Sequence, residues 1–294
     1  MQHSTHSGHG RPDPRILGAY YDLWFEKIRG RAQAVGYSPS DRYNDAVMHR
    51  LLQAEVEGAL RHPEATWLDY GCGPAHLFKE HGSIRERHRV GVDISPAIIA
   101  ENRERFTDQP FTEFHTLDDG YLDDLVPGSF DCITCVEVLE HVYGVEELVE
   151  RFAWWLRPGG TLVITTPNGR RAAPLIRRLL PQRVMLYLED RVEALGIDEL
   201  EDADVDLARF NVKTHFHEFA APELKRLLQR HGLKVESTSL LALKAMPNRT
   251  FNYLAARMPG FVPVMEAMDG ATRHWPIGFF KTCLMMVARR PVAT

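Results

Sequence analysis

Two clusters of residues in this 294-residue chain have the types and spacing to do chemistry. The first is Asp69-Tyr70-Gly71-Cys72-Gly73-Pro74, which closes the apolar run Thr66-Trp67-Leu68 and opens a helix-compatible stretch at Ala75. Such a turn brings backbone close to a small ligand, and it needs glycine because a Cβ would block both positive φ and close approach. The helix N-terminus beyond it offers free N–H groups and a partial positive charge, suited to a carboxylate or a phosphate. The loop is not a dinucleotide fingerprint, since His76 stands where the third glycine would be, nor a P-loop, since no Lys-Ser or Lys-Thr follows. About twenty residues on, Arg89-Val90-Gly91-Val92-Asp93 reads as a buried strand ending in an acid, placed to accept from two ribose hydroxyls. Ser95-Pro96 reads as a helix N-cap with proline at the first helical position, so the competing role for Asp93 is capping alone.

The second cluster is Glu137-Val138-Leu139-Glu140-His141. On a helical turn, positions i, i+3 and i+4 share a face, so Glu137, Glu140 and His141 would converge. Two carboxylates and an imidazole suit a divalent metal with open positions, such as Mg²⁺, Mn²⁺ or Zn²⁺. His215-Phe216-His217 would present both histidines to one side if extended, which adds His217 as a fourth ligand. If a nucleophile must lose a proton, a base with a pKa near the operating pH is needed, which favours histidine, so His141, His217 and Glu137 are the candidate catalytic residues.

These residues need a frame that brings them together. Strands expected at 66–70, 89–93, 111–116, 130–135 and 161–166 alternate with helices after 75, at 95–106 and at 145–156. That alternation implies an α/β, doubly wound Rossmann-like sheet with helices on both faces and ligands at the carboxyl ends of the strands. The glycine loop, Asp93 and Cys135-Val136-Glu137 all fall at such ends. Residues 15–62 read as two amphipathic cap helices, the first carrying Tyr20, Tyr21, Trp24 and Phe25, which read as core packing rather than as a stacking surface. Residues 169–213 begin arginine-rich and end acidic, too long for a plain connection, and read as a helical lid over the substrate site. The core, 63–168, resumes at 214–294 with a helix to Gly232, a strand at 233–239, an irregular insert at 246–277 and a closing strand at 279–288. Lid and insert together suggest a partly apolar acceptor pocket. Residues 1–14, rich in His, Ser and Gly, read as a disordered tail.

Composition narrows the class. An apolar fraction of 44% is that of an ordinary globular protein, and a net charge of −5 argues against a general nucleic-acid binder. No apolar run approaches the ~18 residues of a membrane span, and the start lacks a signal-peptide core. Four cysteines make no disulfide framework in so long a chain, and Cys132 and Cys135, at i and i+3 of a strand, should point to opposite faces. These features point to the cytoplasm, and a homodimer is compatible with them.

Taken together, D-Y-G-C-G-P, G-V-D-I-S, F-D-C-I-T-C-V-E-V-L-E-H-V and R-P-G-G-T-L-V-I-T-T-P-N resemble, in order and spacing over 65–168, class I S-adenosylmethionine-dependent methyltransferases. Within that class the chain resembles ubiquinone-biosynthesis O-methyltransferases, which share V-L-E-H-V, and small-RNA 3′-terminal 2′-O-methyltransferases, whose metal is held by E-x-x-E-H and a downstream histidine. The resemblance implies a seven-stranded sheet, mostly parallel with the last strand antiparallel, and S-adenosylmethionine as cofactor. It implies that Asp69 contacts the cofactor's amino group and that the Gly71-Cys72-Gly73 backbone passes beneath its methionine portion. Asp93 would hold the ribose, Ile94 would touch the adenine, Asp118 would accept from the adenine amino group with Leu117 beside it, and Cys135 would offer backbone near the methionine end. The resemblance also implies a metal-free variant, in which the histidine lines the acceptor pocket or acts as base and the glutamates cap the following helix. The RNA group's aromatic and basic stretch is absent around His217, which is followed by Glu218-Phe219-Ala220-Ala221-Pro222-Glu223.

The resulting expectation is methyl transfer to a small-molecule acceptor, foremost a hydroxyl oxygen, by direct displacement. Most of the acceleration then comes from holding the nucleophile ~3–3.5 Å from the methyl carbon and in line with the leaving sulfur. Ribose methylation of RNA, N- or C-methylation, and a non-catalytic cofactor-binding protein are the alternatives.

Overall fold

The computed structural model describes residues 13–34, 38–80, 87–169, 216–243, 248–272 and 281–292. The expected tail up to residue 12, the lid beyond Gly169, and His215 lie outside the described residues.

Two helices, α1 (Pro14–Ala34) and α2 (Pro39–Ala59), precede β1 (Thr66–Tyr70), α3 (His76–Glu80), β2 (His88–Asp93), α4 (Pro96–Arg105) and β3 (Thr112–Thr116). Then come β4 (Phe130–Val136), a 3₁₀ turn (Leu139–His141), α5 (Val145–Trp155) and β5 (Leu156–Pro167). The chain closes with α6 (Ala221–Arg230), β6 (Lys234–Leu243), α7 (Asn248–Arg257), α8 (Phe261–Ala271) and β7 (Lys281–Arg289). One seven-stranded sheet has the order β3-β2-β1-β4-β5-β7-β6. The pairs from β3 through β5 are parallel, and β7 runs antiparallel to both β5 and β6. This is the expected doubly wound sheet with an antiparallel last strand.

Side-chain alternation splits the core into two layers. Trp67 packs with α2, α3 and α4 on one face, while its neighbour Leu68 packs with α5 and α6 on the other. Cys132 and Cys135 fall in opposite layers, as a strand requires, and all four cysteines are free. Among the described residues no helix is long and apolar enough to cross a membrane.

Two elements differ from expectation. Strand β5 starts at Leu156 rather than at 161, so Arg157-Pro158-Gly159-Gly160 is a bulged part of the strand. Backbone bonds Gly159 N–H to Arg290 O (2.7 Å) and Arg290 N–H to Gly160 O (3.0 Å) hold it against the end of β7. The irregular insert is two helices, α7 and α8, broken at Pro259-Gly260. Phe251 and Met265 belong to the core, with Phe261 packed against it, while Met258, Val264 and Met268 are exposed. Phe251 stacks on Tyr43 of α2 at 5.1 Å, and the Asn252 side chain accepts the Ser40 N–H at 2.8 Å. Buried Lys281 donates to Asp269 Oδ1 at 2.5 Å, tying α8 to the start of β7.

Candidate active site

A cavity of about 380 Å³ opens at the carboxyl ends of β1, β2 and β4. Its floor is the glycine loop. Gly71 N–H and Cys72 N–H both donate to Val92 O, at 2.8 and 2.9 Å, which pins the loop to the end of β2. Gly71 has φ of +76°, and a Cβ there would strike the Val138 side chain, so both the turn and the packing require glycine. Helix α4 holds the loop from the other side: Asn102 Nδ2–H donates to Gly73 O at 2.7 Å, and Arg105 to Pro74 O at 2.9 Å. Cys72 is buried against Gly91 and desolvation pushes its thiol well up, so it is a packing residue and not a nucleophile.

Asp93 lies on the cavity wall with each carboxylate oxygen taking one backbone N–H, Gly73 at 2.9 Å and Ser95 at 3.0 Å. Capping of α4 falls instead to Ser95, whose Oγ accepts the Ile98 N–H at 3.2 Å. Asp93 therefore joins the glycine loop to the β2–α4 turn and retains lone pairs for a ligand. Burial raises its carboxyl above the ordinary value, and the Ser95 and Gly73 N–H groups pull it back. Asp69 is wholly buried at the end of β1. Desolvation pushes it up to about 7, against a hydrogen bond from Thr134 and with the Asp93 charge adding to the rise.

Helix α1 forms the roof. It approaches so closely that a Cβ on Gly18 would sit 2.9 Å from Ile94 O. Asp22 of α1 accepts from Ser95 Oγ–H and from Ala97 N–H (3.3 Å), latching the roof to the start of α4. Tyr20, Tyr21, Trp24 and Phe25 thereby line the cavity, in edge-on contact from one ring to the next. Tyr20 is buried and Phe25 packs against the core, as the sequence reading has it, and all four rings face the cavity as well. Their role depends on where α1 lands, which helical periodicity alone does not specify. His49 of α2 and His76 of α3 also reach the wall, and neither was singled out from sequence.

A second cavity of about 380 Å³ adjoins the first, and the two share Leu17, Tyr70, Ile94, Leu117, His141 and Val142. Asp118, exposed, lines this second part. Ile94, Leu117 and Asp118 are thus brought together as expected. Cys135 is wholly buried and is not on the wall; its neighbours Val136 and Glu137 are.

The Glu137–His141 segment does not form the expected shared face. Glu137 has φ of +53° and its N–H bonds Thr165 O at 3.1 Å, so only Leu139–His141 turn helically. Glu140 points inward, accepting from the Thr166 hydroxyl at 2.9 Å, while His141 lines the cavity. His141 Nε2 lies 3.8 Å from Glu140 Oε1. Burial, then the Glu137 charge, pushes the Glu140 carboxyl up to about 8.

His217 lies behind the wall rather than on it. Its N–H and that of Phe216 bond Glu140 O at 3.3 and 2.8 Å, and its ring stacks on Phe219. Among the described residues no three His, Cys, Asp or Glu side chains stand together as a metal-binding group. Glu137, Glu140, His141 and His217 are therefore not gathered into one ligand set among the described residues, and His215 lies outside them.

A family model described as a methyltransferase domain matches residues 22–238. The ubiquinone biosynthesis O-methyltransferase of Xanthomonas campestris pv. campestris is 32% identical over 136 residues, 42% of this chain and 56% of that protein. That of Xanthomonas euvesicatoria pv. vesicatoria is 27% identical over 215 residues, 64% of this chain and 73% of that protein. The chain thus spans little more than half the length of the first of these relatives. Among solved structures, the [4+2]-cyclase SpnF superposes with a TM-score of 0.58 at 16% identity, covering 98% of this chain and 100% of that one. A putative methyltransferase complexed with the Haloferax volcanii Trm112 activator gives 0.51 at 18% identity, with 92% and 97% covered. At such identities these two likenesses show the fold alone.

Proposed function

The chain belongs to the class I S-adenosylmethionine-dependent methyltransferases, and from that premise we propose that it methylates a hydroxyl oxygen of a small acceptor held beneath α1. The supporting observation is His141, a sequence-expected base that lies on the cavity wall with a buried carboxyl behind it. When bound, S-adenosylmethionine supplies a methyl group open to direct displacement. The residues present fit it: glycine-loop backbone, Asp69 and Asp93 at one end, and Ile94, Leu117 and Asp118 where the two cavities join. The protein's remaining tasks are orientation, exclusion of water and removal of one proton. Tyr21 and Trp24 cover the site, and the His141 imidazole takes the hydroxyl proton. The charge that forms on the His141 imidazole lies 3.8 Å from the Glu140 carboxyl oxygen, and the imidazole returns its proton to solvent after transfer.

The test is a matched acceptor panel of phenols, catechols, amines and a short RNA, with labelled cofactor. Label on phenolic or catechol oxygen is expected; label only on nitrogen or on RNA 3′ ends would overturn the reading. The net charge of −5 favours the small acceptor over RNA. The free thiols suit a reducing compartment, so we place the enzyme in the cytoplasm.

Two further outcomes follow from the same arrangement. Asp93→Ala should weaken cofactor binding by calorimetry roughly ten- to hundredfold, the worth of hydrogen bonds to a charged group; unchanged affinity removes the ribose role. Turnover should persist in excess chelator. Its loss, with recovery on adding Mg²⁺, Mn²⁺ or Zn²⁺, would restore Glu137, Glu140, His141 and His217 as ligands.

A further inference from the structure

We infer that Thr134, itself set by Trp67, is a positioning residue for the cofactor's amino-acid end, aiming Asp69 at the bound ammonium. The inference rests on S-adenosylmethionine being the ligand of the cavity.

Strands β1 and β4 pair in register, Trp67 opposite Cys132 and Asp69 opposite Thr134. Alternation puts Trp67 and Asp69 on one face of β1, with Thr134 beside them on the neighbouring strand. Trp67 and Thr134 are 0% exposed and Asp69 is 2% exposed, so the polar atoms must satisfy one another. An indole N–H can only donate, and Trp67 Nε1–H donates to Thr134 Oγ1 at 2.8 Å. That contact occupies a lone pair of the hydroxyl and leaves its proton to be given elsewhere. Asp69 Oδ1 lies at 2.7 Å, whereas Leu68 O lies at 3.4 Å. The shorter, charge-assisted bond wins. A directed chain results: Trp67 Nε1–H to Thr134 Oγ1–H to Asp69 Oδ1.

Oδ1 is engaged by Thr134 while Asp69 lines the cavity, which leaves the other oxygen to meet the ammonium in this inference. The groups that act on it electrostatically are Asp93 from the end of β2, Cys72 from the glycine loop, and Cys132 and Cys135 from β4. The thiols are pushed up by burial and stay neutral, and the Asp93 charge opposes ionisation of Asp69. Among the described residues the cavity wall carries no Lys or Arg. His49, His76 and His141 also line the wall, and the interaction that lowers the Asp69 pKa against burial is the Thr134 hydrogen bond. Because Asp69 sits at about 7, affinity for an ammonium-bearing ligand should rise with pH through that value. Removing the hydroxyl raises the Asp69 pKa further, and the midpoint moves to higher pH.

The test compares S-adenosylhomocysteine, which has the amino-acid end, with 5′-methylthioadenosine, which lacks it. Calorimetry on wild type, Thr134→Val and Thr134→Ser reads the difference. Thr134→Val is expected to weaken S-adenosylhomocysteine roughly tenfold and to leave 5′-methylthioadenosine within about twofold. Its pH midpoint should rise, and Thr134→Ser should restore both affinity and midpoint. Equal losses on both ligands would reveal a structural role only, and no loss on either would also overturn the inference. Failure of wild type to bind either ligand is a separate result, which would overturn the cofactor reading and this inference together.

Discussion

His141→Asn is expected to lower kcat for a hydroxyl acceptor by about 10²–10⁴-fold, the usual worth of a positioned base. Cofactor affinity should stay within about twofold, because the loop, Asp69 and Asp93 are untouched. Steady-state kinetics and calorimetry on the same preparation check both halves. Asparagine keeps a polar side chain in the turn at Leu139–His141 and near the Tyr21 ring, so the change removes basicity more than shape. The pH profile makes the reading sharper. Without His141 the acceptor must lose its proton to solvent, so the variant's rate should keep climbing with pH. A variant with full kcat would mean that the acceptor atom carries no proton to lose, or that another group removes it.

Lys281→Met should be the most damaging single change to stability, by about 3–5 kcal/mol, because it strands a buried carboxylate. Lys281 and Asp269 are each 1% exposed. Lys281 Nζ donates to Asp269 Oδ1 at 2.5 Å and to Asp269 O at 3.2 Å, and Asp269 Oδ1 also accepts the Leu243 N–H at 2.9 Å. The cluster joins α8 to the end of β6 and the start of β7, next to the strand pair that closes the sheet. Reversible denaturation should show a Tm lower by roughly 5–10 °C for a chain this long. The double variant Lys281→Met with Asp269→Leu should recover much of the loss, since a buried pair replaced by apolar groups is often neutral. Equal stability of wild type and Lys281→Met would contradict this account of the pair.

The cofactor half of the site was legible in the sequence because strand ends leave local marks. Thr66-Trp67-Leu68 running into Gly71 and Gly73, and Asp93 closing the next apolar run, need only period, turn chemistry and spacing. What the sequence left open were features set by tertiary approach. The α1 rings are equally good core or roof until Gly18 is seen against Ile94 and Asp22 against Ser95. Glu137, Glu140 and His141 have helical spacing, but the left-handed backbone at Glu137 and its bond to Thr165 break the shared face before it forms. Pro259-Gly260 and Pro263 hid α7 and α8 by interrupting their pattern, while Phe251 and Met265 drew both helices into the core. The Trp67–Thr134–Asp69 chain crosses two strands and has no sequence signature.

A crystal structure with S-adenosylhomocysteine tests the central claim most directly. The expected result has the ribose hydroxyls on Asp93, the adenine by Ile94, Leu117 and Asp118, the amino group on Asp69, and the sulfur beneath α1 facing His141. A nucleoside bound elsewhere, or a sulfur turned away from His141, would contradict it.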